Sequence, residues 1–171
     1  LADLPDSVTE ASTAYSYNVQ LLEGTTPITW GLINSPADMG ILNGVVNWAN
    51  PEPKDSINSI TVEASNPVGK DTKIYNLTVL ERPVVAEISD INVNEGTGFE
   101  LQATLLHGSE PVEWQVVSGP SGMSVSQGGL IKWPKTVGHY SPYSVVIEAR
   151  NALATAQKSF ILNVIRPPVI V

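Results

Sequence analysis

Hydrophobic and polar residues alternate along this 171-residue chain in short runs, and the runs come in the same order twice. In the first half, Tyr15, Tyr17, Val19 and Leu21 alternate with smaller or polar neighbours in "YSYNVQLL". The triplets Ile28/Trp30/Leu32, Ile60/Val62/Ala64 and Tyr75/Leu77/Val79 follow. The second half answers with Phe99, Leu101, Ala103 and Leu105 in "FELQATLL", then Val112/Trp114/Val116, Val145/Ile147/Ala149 and Phe160/Leu162/Val164. A period of two sends successive side chains to opposite faces of an extended backbone, so each run predicts a strand with one face buried. Turn formers separate the runs: "EGTTP", "NSPADMG", "ANPEPKD" and "NPVGKD", then "HGSEP", "SGPSGM" and "SQGG". No segment carries a sustained helical stripe. The pattern predicts an all-β chain whose strands form sandwiches of two antiparallel sheets.

Sliding the sequence over itself explains the double order. Gly24, Pro27, Trp30, Pro36 and Met39 meet Gly108, Pro111, Trp114, Pro120 and Met123, each 84 positions later. Gly44, Trp48, Ala64, Asn66, Leu77, Val79 and Pro83 meet Gly129, Trp133, Ala149, Asn151, Leu162, Val164 and Pro168, each 85 later. One residue added between Met123 and Gly129 accounts for the change of offset. Rare residue types coincide in order, so the chain is two tandem copies with a boundary near "ERPVV". The expected domains are residues 1–82 and 83–167, with 168–171 starting a following linker or strand.

The second copy reads "GPSGM…GGLIKWP…VVIEARN…SFILNV" and the first "SPADMG…NGVVNWANP…ITVEASN…IYNLTV". With these motifs each copy resembles the immunoglobulin-like repeats of bacterial surface proteins and the cadherin-like repeats related to those in dystroglycan. The resemblance covers nearly the whole chain and its motifs are structural ones. It implies an immunoglobulin-like or cadherin-like sandwich, used in such proteins as a spacer, an adhesin or a ligand binder. Function drawn from it is analogy.

Charge and composition remove several classes. The net charge is −8 with nine scattered Lys and Arg, a poor match to phosphate backbones or anionic membranes. No apolar run approaches the ~20 residues that span a bilayer. The absence of cysteine rules out disulfides, thiolate zinc sites and thiol catalysis. It is compatible with an extracellular location, because a domain of about 85 residues can fold without such staples. "LADLPDSVTE" lacks a secretory pattern and "RPPVIV" reads as the start of another element, so both ends read as cut points in a longer protein. The expected partners are therefore other domains of that protein, with a protein or glycan ligand as a further candidate.

Four candidate sites emerge. Trp48 and Trp133 read as core rings with their N–H groups satisfied by loop carbonyls, against the alternative of a sugar-stacking platform; Trp30 and Trp114 read as core. The cadherin-type resemblance implies calcium between modules, for which Glu81, Asp90 and Glu95 are the candidate ligands, with Glu87, Asn66 and Asp71 nearby in sequence. Against it, the "D-x-N-D-N" linker is missing, and an acidic solvated linker is the competing reading; no other cofactor is expected. The loop "VGHYSPYS" gathers His139, Tyr140 and Tyr143, a candidate ligand surface that the first copy lacks. Asn76 opens a lone glycosylation triplet, and the alternation puts it on an exposed face. Catalysis has no motif: His107 and His139 lack metal-ligand spacing, and "GPSGM" is not a nucleophile elbow. The expected function is a non-catalytic structural and adhesion module of a surface or secreted protein. The alternative is an ancillary carbohydrate-binding or calcium-dependent ligand-binding module of a polysaccharide-active protein.

Overall fold

The structure is a computed structural model that describes residues 1–53 and 57–168. All regular structure in the described residues is strand; no helix is long and apolar enough to cross a membrane. The chain divides into two compact units, Leu1–Glu81 and Arg82–Val171.

The first unit runs β1 (Ser7–Glu10), β2 (Tyr15–Asn18), β3 (Thr29–Asn34), β4 (Met39–Leu42), β5 (Val45–Trp48), β6 (Asn58–Asn66) and β7 (Gly69–Leu80). A four-stranded sheet ordered β1-β7-β6-β3 packs on a three-stranded sheet ordered β2-β5-β4. The second unit runs β8 (Val84–Val85), β9 (Ile91–Asn94), β10 (Phe99–Gln102), β11 (Leu105–His107), β12 (Glu113–Ser118), β13 (Ser124–Val125), β14 (Leu130–Trp133), β15 (Tyr143–Arg150) and β16 (Thr155–Ile165). Its sheets are β12-β15-β16-β9, β10-β14-β13 and the short pair β11-β8.

The alternation read from the sequence becomes the packing. Ile60, Val62, Leu77 and Val46 close the first core, and Val145, Ile147, Leu162 and Ile131 hold the same places in the second. Each contributes roughly 1.5–3 kcal/mol of burial. Trp48 and Trp133 are each 4 % exposed, core rings at the ends of β5 and β14. Trp30 and Trp114 are half-buried at the core margin.

Three features depart from the sequence reading. The strand expected from Tyr15 to Leu22 ends at Asn18, leaving Leu22 68 % exposed. Its counterpart from Phe99 changes sheets: β10 pairs with β14, whereas β11 pairs with β8. Between them the Ala103 N–H donates to the Gly129 carbonyl. The second departure is a pair of bulges, between Leu32 and Asn34 and between Val116 and Ser118, which turn Ile33 and Val117 outward. Third, the sandwiches are not wholly antiparallel. β1 pairs with β7, and β9 with β16, in parallel register. In each unit an early strand thus points the same way as the last one, β1 with β7 and β9 with β16.

The echo "NGVVNW" and "GGLIKW" marks a hairpin. Asn43 and Gly44 form a two-residue turn with φ of 52° and 80° between the paired Leu42 and Val45, the backbone that Asn-Gly favours. The second copy's extra residue lies in the equivalent turn, where Gly129 has φ of 79°. Trp30 packs over Gly44 and Trp114 over Gly129; a Cβ on Gly129 would also stand 2.9 Å from the Ala103 carbonyl oxygen.

Candidate functional site

The loop from Val137 to Tyr143 joins β14 to β15 and is held in place by four ties. The Tyr143 hydroxyl donates to the Val137 carbonyl at 2.6 Å, and its ring meets Trp133 edge-on with centroids 5.3 Å apart. Glu95, in the turn after β9, accepts the Gly138 N–H at 2.9 Å. Arg166 crosses directly over Gly138, where any Cβ would collide with it, and donates to the same Glu95 carboxylate at 3.1 Å. The Ser141 hydroxyl accepts the Val164 N–H at 2.8 Å. The Gly138 N–H first, and the Arg166 guanidinium with it, hold the Glu95 carboxyl below its ordinary pKa.

What this scaffold presents is a pair of rings. Tyr140 is 75 % exposed, and His139 meets it edge-on at 4.4 Å. Val137 of the same loop is also exposed, and the partly exposed Arg166 side chain, which follows β16, lies over Gly138. Tyrosine and arginine on a rigid base are the residue types that anchor protein interfaces.

Of the three loop residues singled out in the sequence, His139 and Tyr140 face solvent and Tyr143 is a strut. Two of the three candidate calcium ligands, Glu95 and Asp90, bond to backbone N–H groups. Glu95 anchors the loop, and Asp90 accepts the backbone N–H of Ile161 at 2.8 Å. Glu81 is half-buried at the end of the first unit. Among the described residues, no three His, Cys, Asp or Glu side chains gather as metal ligands. The sequence separated Glu95 from the Gly138 loop by 43 positions, and no local signal joined them.

The paired asparagines prove structural. Asn66 Oδ1 accepts the N–H groups of Val68 and Gly69, and its Nδ2 donates to the Thr25 carbonyl. Asn151 does the same with Leu153, Ala154 and Ser109. Each side chain forms the turn and ties it to a neighbouring loop. Asn76 differs from expectation: it is half-buried, with its N–H and amide both engaged by Asp6.

One tryptophan also departs from the sequence reading. Trp133 Nε1 donates to the Ser121 carbonyl at 3.1 Å, as expected, but Trp48 Nε1 is buried without a partner.

No protein-family profile matches the sequence, and no curated protein matches it. Solved structures do. An I-band fragment of titin superposes with a TM-score of 0.65 at 18 % identity, covering 96 % of this chain and 64 % of that one. Extracellular domains 3–5 of Drosophila OTK give 0.76 at 12 % identity, covering 95 % and 60 %. The eight N-terminal Ig domains of Down Syndrome Cell Adhesion Molecule give 0.64 at 14 % identity, covering 95 % and 27 %. This chain therefore spans less than two thirds of each. At these identities the likeness establishes the fold: two tandem immunoglobulin-like β-sandwiches.

Proposed function

We propose that this chain is a load-bearing, adhesive and non-catalytic pair of immunoglobulin-like modules within a larger extracellular or cell-surface protein. The observation that carries the reading is the parallel pairing of an early strand with the last strand of each unit, β1 with β7 at Ser7↔Leu77 to Glu10↔Leu80 and β9 with β16 at Ile91↔Leu162 to Asn94↔Ile165. A pull on the two ends of a unit draws these strands in opposite directions. Their hydrogen bonds then lie across the force and must yield together, whereas an opening hairpin yields one bond at a time. Side chains reinforce the seam: Lys73 pairs with Asp3, Lys158 with Glu87, and Asn163 with Asn92.

The adhesive part of the reading rests on the exposed His139–Tyr140 pair and its rigid support. The protein partner is met there, and neighbouring domains of the same protein are met through the chain ends. The extracellular domains of OTK and the cell adhesion molecule among the structural neighbours favour this setting. The twice-written "G-x-x-x-W" motif favours the bacterial surface type of repeat.

Single-molecule stretching tests the load-bearing reading, since forced unfolding reports the unfolding rate. Two separate high-force events are expected, one per unit. Yielding of both units at the low force of an unzipping hairpin would refute it.

A further inference from the structure

We infer that Leu21–Gly24, at one end of the first unit, form a receiving edge for an extended proline–valine segment joined to Leu1. The linker of a preceding module completes this sandwich. The inference deepens the proposed function and rests on the part of that reading that sets the chain within a larger protein.

The second unit shows such an edge in use. β8 pairs antiparallel with β11, at Leu105↔Val85 and His107↔Val84. The Ala86 N–H donates to the Thr104 carbonyl at 2.9 Å and closes the same seam. Pro83, just ahead of β8, is buried against Gly108, where a Cβ would stand 2.7 Å from the Pro83 Cα. A side chain at Gly108 would thus exclude the proline. Val112, a few residues further on, is 8 % exposed.

The first unit repeats this arrangement 84 positions earlier. Leu1 and Ala2 match Val85 and Ala86, Leu21–Glu23 match β11, and Gly24 matches Gly108. The Ala2 N–H donates to the Gln20 carbonyl at 3.0 Å, the counterpart of the Ala86 bond. Gly24 keeps the backbone of its counterpart, with φ of 150° against 140°. Yet Leu21–Glu23 form no strand, and Leu21, Gly24 and Thr25 are exposed where Leu105, Gly108 and Ser109 are half-buried. The atoms nearest a Cβ on Gly24 belong to Ile28 and Leu21 of its own loop. A cleft of about 420 Å³ opens there, with Leu1, Leu21, Gly24 and Ile28 in its walls. An edge of this kind presents backbone N–H and C=O groups that an incoming extended segment satisfies, while its side chains fill the adjoining space. The register calls for proline and valine ahead of Leu1, the pair that both linker sequences of this chain carry, Pro83-Val84 and Pro168-Val169.

The test extends the 171-residue chain ahead of Leu1 by Glu-Arg-Pro-Val, a copy of Glu81–Val84. Extensions by Glu-Arg-Asp-Val and by Gly-Ser-Gly-Ser are the controls. All three turn the Leu1 ammonium, which pairs with Asp71 at 2.6 Å, into an amide, so the loss of that ion pair is common to them. Hydrogen exchange read by mass spectrometry should slow several-fold at Leu21–Glu23 with the proline extension alone, and exchange at Leu105–His107 should stay as it is. The inference is overturned if the three extended chains exchange alike at Leu21–Glu23, or if the aspartate form protects as well as the proline form. It is also overturned if the unextended chain self-associates in ultracentrifugation and loses this on removal of residues 167–171, which assigns the cleft to a second copy. Exchange is read without force, so failure here leaves the load-bearing reading standing, and yielding at low force leaves this edge in place.

Discussion

The Asp90 carboxylate accepts the backbone N–H of Ile161 at 2.8 Å, which ties the approach to β9 to the last strand of the second unit, β16. Asp6 makes the same bond to Asn76 in the first unit. Each aspartate lies just before the parallel seam and extends it by one hydrogen bond. Asp6→Ala and Asp90→Ala should each make the affected unit unfold several-fold faster under constant force and leave the other unit unchanged. The Asn76 N–H, and then its side-chain amide, hold the Asp6 carboxyl below its ordinary pKa. A depressed carboxyl stabilises the fold above its unfolded value, about 3.9, and that contribution fades as pH falls through the folded value. The first unit's unfolding force should therefore drop below about pH 4, and Asp6→Ala should remove that part of the drop.

Alkali should act on the first unit through Tyr75. Burial pushes this hydroxyl above its ordinary pKa, and the neighbouring Tyr15 hydroxyl at 3.4 Å adds to the shift. A raised acid stabilises the fold below its unfolded value of about 10, and that contribution is lost as pH rises beyond it. The second unit has Phe160 at the matching position. Tyr75→Phe should move the alkaline unfolding midpoint upward, as followed by circular dichroism across pH 9 to 12 (roughly one unit either side of the tyrosine range).

Removing a core indole should cost most. Trp133→Ala takes out a ring that is 4 % exposed and the edge-on partner of Tyr143. The expected loss is ~3–5 kcal/mol, against a total of about 4–13 kcal/mol for a unit of this size. Calorimetry should show the second unit's transition falling sharply or vanishing while the first persists.

The hairpin glycines should differ in tolerance. At Gly44 a Cβ would press on the Trp30 ring at 3.1 Å, whereas at Gly129 it would meet the Ala103 carbonyl oxygen at 2.9 Å as well as Trp114. Both sites have positive φ. Alanine should cost about 1–3 kcal/mol from the backbone alone, and Gly129→Ala should be the more damaging in urea denaturation because a carbonyl yields less than a ring.

Calcium titrated into a metal-free sample should give no heat of binding. Asp90 and Glu95 are already engaged with backbone N–H groups, and ion binding would have to break those bonds. A saturable isotherm would contradict this.

The core was legible because its signal is local: Ile60/Val62 and Val145/Ile147 alternate strictly, and their neighbours agree. The parallel strand of the first unit was not. β1 turns Ser7 and Thr9 inward, and four residues of that polarity leave no trace in a hydrophobic pattern. Only the pairing with β7, 70 residues away, makes them a strand. The loop site was half legible. The aromatic cluster showed in the sequence, but the division into a strut, Tyr143, and a presented pair, His139 and Tyr140, depends on where Trp133 and Glu95 lie in space.

The hairpin written twice in the sequence carries a practical consequence. Its two versions differ by one residue, yet Trp48 and Trp133 end their strands equally buried. Evolution has thus already changed this turn's length without disturbing what lies below it. The stretch Ser126–Gly128 is accordingly the natural position for grafting a foreign epitope or a labelling tag into the chain.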